Sequence, residues 1–351
     1  MFAYVGSYTA KQRNGRGEGI NVYRVDSASG AFMPLQIVGD LVNPSLLALD
    51  RRQRVLYAAH GDEDHATAFA IDETTGRLTF LNRQPTGGKN GVHLAVDATN
   101  CFLVVGNYAS GTVAVLPIQS DGSLGPLSDL VPLTGTPGPD PVQQASSHPH
   151  DVPFDRSGRF VVVPDKGLDK VFVFRLDTAR GKLVAGDPPS VTARPGAAPR
   201  HADFHPTGPY AYVNNELDST ITTYRFEPDR GVLAPLQVIS SLPQVFTDRN
   251  TTAEIAVAPS GRFVYVSNRG HDSIAIFAVG EADGRLKPVG WESTQGKTPR
   301  FFALDPSGTF LYVANQNSDT IVGFRVDQAT GALKPTGHVI HTGSPSSIVF
   351  K

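Results

Sequence analysis

The chain has a single cysteine, Cys101, in 351 residues. No intramolecular disulfide can form, and zinc sites built on several cysteines are excluded. Long apolar runs are missing too: no window approaches the ~18–20 apolar residues that a membrane span needs. The opening "MFAYVGSYTA" reads as a strand, without the basic n-region and apolar h-region of a leader, so a cytoplasmic protein is expected. There is no excess of one charge. Against 31 Lys and Arg stand 33 Asp and Glu, a formal net charge of −2. That balance argues against a nucleic-acid partner and leaves room only for a local basic pocket. Nor is there an amphipathic helix of convincing length.

What the chain has in quantity is glycine, 35 residues, and proline, 27. Both fall between apolar runs, as turn residues do, rather than diluting them as in disorder. Period-2 apolar runs recur from end to end: "YVGSY", "RVLYAAH", "CFLVVGNY", "RFVVVPD", "YAYVNNE", "RFVYVSN" and "TFLYVAN". Each is followed by a polar turn, a second alternation such as "KVFVFRL" or "SIAIFAV", and a Gly-x-Leu-like hairpin. The hairpin glycines, Gly30, Gly76, Gly122, Gly181, Gly231, Gly284 and Gly331, stand at intervals of about fifty residues, the spacing of propeller blades. The expected fold is all-β, a seven-bladed β-propeller with four-stranded antiparallel blades. One ring then accounts for residues 1–351 as a single domain, overriding the two or three domains that length alone suggests.

Strand order within a unit is also legible. A run that starts after proline, as in "NPSLLALDRRQ", "HPHDVPFDRSG" and "PRHADFHPTG", and ends in a turn lies before the "FLYVAN"-type strands and reads as the innermost strand. The chain opens in the second strand of a blade and closes with "GSPSSIVFK", which matches an innermost one. The C-terminal strand should therefore join the N-terminal blade and close the ring, removing an open sheet edge. Cys101, at the start of an inner-ring strand, reads as a small buried residue.

This topology gathers chemistry on one face. The Gly-x-Leu hairpins lie on the other, and turn geometry explains their Asp, Thr and Gly. At the starts of the innermost strands stand His93, His148, His150, Arg200, His201, Glu254 and Arg300, and in the turns after the second strands stand Tyr108, Glu216 and Arg269. Asn107, Asn268 and Asn315 in the same turns read as hydrogen-bond caps. These side chains should converge on the mouth of the central channel. Guanidinium forks there would bind a carboxylate or phosphate and stabilise an oxyanion, while a histidine or glutamate could take a proton from water. "HPH" at 148–150 is at most half a metal site, with no third ligand at convincing spacing. "TGGKNG" (86–91) precedes no helix and is no P-loop.

The segments "HPHDVPFDRSGRFVVVPDKGLDKVFVF", "PRHADFHPTGPYAYVNNELDSTI" and "AEIAVAPSGRFVYVSNRGHDSIAIF" resemble the seven-bladed propeller lactonase family, which holds bacterial 6-phosphogluconolactonases and fungal muconate-lactonizing enzymes. The resemblance covers essentially the whole chain. It implies a cofactor-independent enzyme without a metal, with candidate active-site residues at His148, Arg200, Glu216 and Arg269. Because "HPHDV" holds two histidines, either His148 or His150 can occupy the family's position. Lys166 stands where the family more usually has leucine.

The expected activity is hydrolysis of a small anionic sugar lactone, 6-phospho-D-glucono-1,5-lactone being favoured, as in the pentose phosphate pathway. Arg200, Glu216, His148 or His150, and Arg269 would act on it, with His93, Tyr108, His201, Glu254 and Arg300 in substrate binding. The same residues would also suit a muconate-type lactonizing lyase acting on a related carboxylate. A non-catalytic binding scaffold is the third reading, but it would call for exposed aromatics on this face, and Tyr108 is the only one expected there.

Overall fold

The computed structural model describes residues 1–351. Seven antiparallel sheets follow one another around a ring. In six of them four strands run from the axis outward, as in Pro199–Phe204, Tyr210–Asn215, Thr220–Glu227 and Val232–Ser240. The C-terminal strand Pro345–Phe350 pairs with Phe2–Ser7, whose outer neighbours are Ile20–Val25 and Phe32–Val38. The ring is closed as the pattern required. Helix is confined to two single 3-10 turns, Lys11–Arg13 and Gln316–Ser318, so no helix is long and apolar enough to cross a membrane.

The fourth blade departs from the rule. Its innermost place is taken by residues 148–154, which form no regular ladder with Phe160–Asp165 and pair with it as the isolated bridges Pro149↔Asp165 and Phe154↔Val161. Pro149 and Pro153 have no N–H to give to a ladder, so a regular strand cannot form there. His150 N and Lys166 N still donate across the gap, to Pro164 O and His148 O, both at 3.0 Å.

The second strands are buried on both faces, Val55–His60 and Phe310–Asn315 along their whole length, because a blade packs against each side. The apolar cores accordingly lie between blades. One cluster joins Tyr4, Ile20 and Val22 to Leu56, Ala58 and Phe69. Another joins Ala3 and Val5 of the first blade to Phe310 and Tyr312 of the last, so the closing seam has a core of its own. Polar latches fix the register between blades. Tyr4, Tyr57, Tyr212, Tyr265 and Tyr312 each donate a hydroxyl proton to the hairpin-glycine carbonyl of the next blade, at 2.9–3.1 Å. Each such bond is worth about 1 kcal/mol. At Gly76 (φ 72°) an added Cβ would fall 2.4 Å from the Phe2 ring, so both the turn and the packing require glycine.

Cys101 is exposed rather than buried. The Asp97 carboxylate accepts from Cys101 N at 2.8 Å and holds it in the turn before Phe102–Asn107, with its side chain outward.

Candidate active site

The inner strands do not start as regular ladders. Pairing slips by one residue between Pro44 and Leu46, Gly91 and His93, Pro199 and His201, and Pro299 and Phe301. The extra residue of each bulge is Ser45, Val92, Arg200 or Arg300. In the fourth and closing blades the equivalent residues are His150, after the Pro149 bridge, and Ser346. A bulge re-aims a side chain, and here it aims these six at the axis, where all of them line one small axial cavity. The backbone is set up for this just upstream. Asn43, Asn90, Ala198, Thr298 and Ser344, two residues before a bulged one, all have φ between 40° and 60°. Asparagine tolerates that region, whereas for Ala198 and Thr298 it costs about 1–2 kcal/mol.

The site is therefore layered, with one residue per blade in each layer. The outermost layer holds the residues at or just past the ends of the second strands: Tyr8, Tyr108, Lys166, Glu216 and Arg269, the last of these still within Phe263–Arg269. Beneath it lie the bulged residues, His150, Arg200 and Arg300 among them. The third layer holds the next residue along: His93, Asp151, His201 and Glu254 in four successive blades, an alternating girdle of imidazole and carboxylate. His93 Nδ1 lies 2.9 Å from Asp151 Oδ1, within ion-pair distance though not aligned as a hydrogen bond, and His201 Nδ1 lies 3.0 Å from Glu254 Oε2.

A pocket of about 180 Å3 opens above, lined by Tyr8, Arg13, Tyr108, Gln143, His150, Lys166, Glu216, Arg269 and Arg300, with Asn90 and Val92. Glu216 is its only carboxylate. Lys166 Nζ stands 2.9 Å and Arg269 Nη2 3.2 Å from Glu216 Oε1, and Arg200 Nε 3.2 Å from Oε2. Backbone bonds from Glu216 N to Ala198 O (2.7 Å) and from Thr252 N to Glu216 O (3.2 Å) fix its position between blades. Burial opposes ionisation of Glu216, but Arg269, Lys166 and Arg200 outweigh it and hold the carboxyl well below its ordinary range. Burial lowers the pKa of Lys166 against the pull of Glu216, and lowers that of Arg200 to about 9, so Arg200 stays cationic at neutral pH. Arg300 packs over the Tyr8 ring, 5.1 Å from its centroid, and Arg13 at the rim pairs with Asp62.

The two candidate histidines part company. His148 stacks on Tyr108 with ring centroids 4.3 Å apart, and its Nδ1 lies 2.9 Å from Tyr108 O, outside the pocket wall. His150 is buried in that wall, and burial together with Arg200 and His201 holds it neutral, its pKa well below the ordinary histidine value. The ligand atoms of Glu63, Asp64 and His65 come within 4.8 Å of one another, but in a turn of the second blade outside the pocket.

Of the residues expected in substrate binding, Tyr108 and Arg300 line the pocket. His93, His201 and Glu254 lie a layer deeper. Asn107, Asn268 and Asn315 are caps, donating to Thr86 O, Ser241 O and Thr294 O at 2.9–3.2 Å. Lys166, Tyr8, Arg13 and Gln143 were not picked out as site residues. The prolines carry a signal that would have separated the histidines: Arg200, Arg300 and His150 each follow Pro199, Pro299 or Pro149, whereas His148 precedes one. A wider cleft of about 840 Å3 lies on the outer strands at the closing seam, where Arg16 and Asp319 pair with each other at 2.6 Å.

The chain is similar to 6-phosphogluconolactonase of Bacillus subtilis, 38% identical over 302 residues, covering 85% of this chain and 83% of that protein. It is 33% identical over 311 residues to 6-phosphogluconolactonase of Formosa agariphila, covering 86% and 85%. Among solved structures, the Pseudomonas aeruginosa periplasmic gluconolactonase PpgL superposes with a TM-score of 0.90 at 34% identity, covering 99% of this chain and 98% of that one. Residues 2–350 match the family described as "Lactonase, 7-bladed beta-propeller". This chain belongs to that lactonase family and is a lactone-hydrolysing enzyme of the sugar-lactone kind.

Proposed function

We propose that the axial pocket hydrolyses 6-phospho-D-glucono-1,5-lactone to 6-phosphogluconate. The observation that carries this reading is the charge of the pocket: Lys166, Arg269 and Arg300 face a single carboxylate, Glu216, already shared among cations, while Arg13 at the rim is paired with Asp62. A buried surplus of positive charge suits a phosphate dianion on the substrate and an oxyanion developing at its carbonyl. The relatives described as 6-phosphogluconolactonases point the same way. The cytoplasm, which retains sugar phosphates, is the compartment that goes with this substrate.

In this reading Glu216 is a brace. A carboxylate held by three cations is a poor base, so it orders Lys166, Arg200 and Arg269 around the substrate. His150, neutral and in the pocket wall, takes the proton from the attacking water. Burial among cations makes it a weak base, and an anionic substrate in the pocket offsets that depression. A weak base suffices because δ-lactones of this kind open unaided at neutral pH, and the barrier to be removed is modest. Arg269 and Arg300 polarise the carbonyl. Tyr8 and Tyr108 both line the pocket, with Tyr8 buried.

The test compares acid release from 6-phosphogluconolactone and from unphosphorylated gluconolactone, corrected for spontaneous opening, with cyclisation of cis,cis-muconate alongside. A preference for the phosphorylated lactone is expected. Preference for the neutral lactone would remove the phosphate from the reading, and turnover of muconate alone would replace hydrolysis by lactonization.

A further inference from the structure

Beneath the pocket the channel narrows to a second space of about 10 Å3, lined by His150, Arg200, His201, Arg300, Ser45 and Ser346 with apolar neighbours. That volume is what one water centre needs. His150 lines both this space and the pocket above it, whereas His201 lines only the lower one. Two imidazole nitrogens there, His150 Nδ1 and His201 Nε2, are fully buried and have no protein partner, with ring centroids 5.1 Å apart. Leaving a buried polar atom unsatisfied costs about 1–3 kcal/mol, and a polar cavity of this size ordinarily holds a bridging water. On its other side His201 Nδ1 meets Glu254 at 3.0 Å. Burial pushes the Glu254 carboxyl up to about 8, so its ionised form, the one that can accept a proton, is a strong base for a carboxylate and gains population as the pH rises towards that value.

We propose that one buried water joins His150 to His201, and that His150, this water, His201 and Glu254 form a proton relay beneath the substrate. The inference rests on the lactone-hydrolysis reading. When the hydrolytic water adds to the lactone carbonyl carbon, His150 accepts its proton on the pocket side and passes one from Nδ1 to the buried water. That water protonates His201 Nε2, and the Nδ1 proton of His201 moves to the Glu254 carboxylate. When the ring C–O bond breaks, the transfers reverse and the proton reaches the departing ring oxygen as a hydroxyl. The new carboxylic acid then releases the one net proton of the reaction. His201 and Glu254 act through His150 and touch no substrate, so they are positioning residues. In this role they replace their expected part in substrate binding.

The experiment uses the full chain in two parts. In the first, kcat and KM for 6-phosphogluconolactone, the Kd of 6-phosphogluconate and Tm are measured for wild type, His201→Gln and Glu254→Gln. The relay predicts a fall in kcat of about tenfold to a hundredfold with KM and Kd within about threefold. In the second, a crystal structure of the wild type at about 1.5 Å or better should show a water within hydrogen-bonding distance of His150 and His201. That part decides the matter if the variants fail to fold. Unchanged kcat in folded variants would overturn the relay and leave lactone hydrolysis standing. So would a loss carried by KM and Kd, or a lower space without density for water. A wild type that opens no lactone would overturn the functional reading, and the relay with it.

Discussion

Lys166 Nζ lies 2.9 Å from Glu216 Oε1, and the two residues hold the same place in adjacent blades, immediately after Phe160–Asp165 and Tyr210–Asn215. The ammonium also donates to Gln143 Oε1 at 2.7 Å. Position 166 thus holds a buried cation, and a carboxylate one blade along is turned to meet it.

Lys166→Leu should show what that cation does. It removes one positive charge from the pocket and fills the space with an apolar side chain. KM for 6-phosphogluconolactone should rise about tenfold to a hundredfold, as for loss of a charged hydrogen-bond partner, while KM for the unphosphorylated lactone changes by less than about threefold. Equal effects on both substrates would tie Lys166 to Glu216 alone.

Glu216→Gln leaves three cations without their shared counter-charge. Breaking a buried ion pair from one side costs about 3–5 kcal/mol, so Tm at neutral pH should fall clearly. Because the folded carboxyl titrates well below its unfolded value, the unfolded chain binds the proton more readily. The stability this gives is fully present above about pH 4.3 and is lost as the pH falls below it. Thermal melts between pH 5 and 3 should decline more steeply for wild type than for the variant, and parallel slopes would contradict the assignment.

Deleting residues 343–351 removes the strand that pairs Ile348 with Val5 and Phe350 with Ala3. The first blade would lose its innermost strand, and the seam core around Ile348 and Phe350 would open. Cooperative melting should be lost or its midpoint lowered by more than about 10 °C, since burial of several large side chains at about 1.5–3 kcal/mol each disappears. A truncated chain with wild-type Tm would refute this closure.

Gly290 is a position where the fold can be strengthened. Six residues after their hairpin glycines, Gln36, Asn82 and Gln237 each bond both the N–H and the C=O of a leucine in the next blade, for example Gln36 to Leu78 at 2.8 and 3.0 Å. Gly290 holds that place in the sixth blade, and an added Cβ there meets nothing within 4 Å. Gly290→Gln should bridge to Leu333 and stabilise the protein by about 1–2 kcal/mol. Differential scanning calorimetry would read this as a rise in Tm of a degree or two, and an unchanged or lower Tm would show that the bridge does not form.

Much of this was legible in the chain itself. The fifty-residue period, the hairpin glycines and the C-terminal inner strand follow from turn chemistry and from apolar patterning, which are local and repeat with the sequence. So does the set of positions facing the axis, because equivalent residues of equivalent blades share a direction. The irregular inner segment of the fourth blade was less visible. Its apolar pattern matched a strand, and only the two missing N–H groups of Pro149 and Pro153 prevented one.

What the tertiary structure decided is which of the axial residues meet. That Lys166 joins Glu216, that His150 stands in the pocket wall while His148 turns out against Tyr108, and that His201 and Glu254 lie a layer below the pocket all depend on distances of a few ångströms across blades. Sequence periodicity carries the direction of a side chain but neither its depth along the channel nor its neighbour in the adjoining sheet. Those are set by one-residue bulges and by close packing between blades, and both arise only when the ring is assembled.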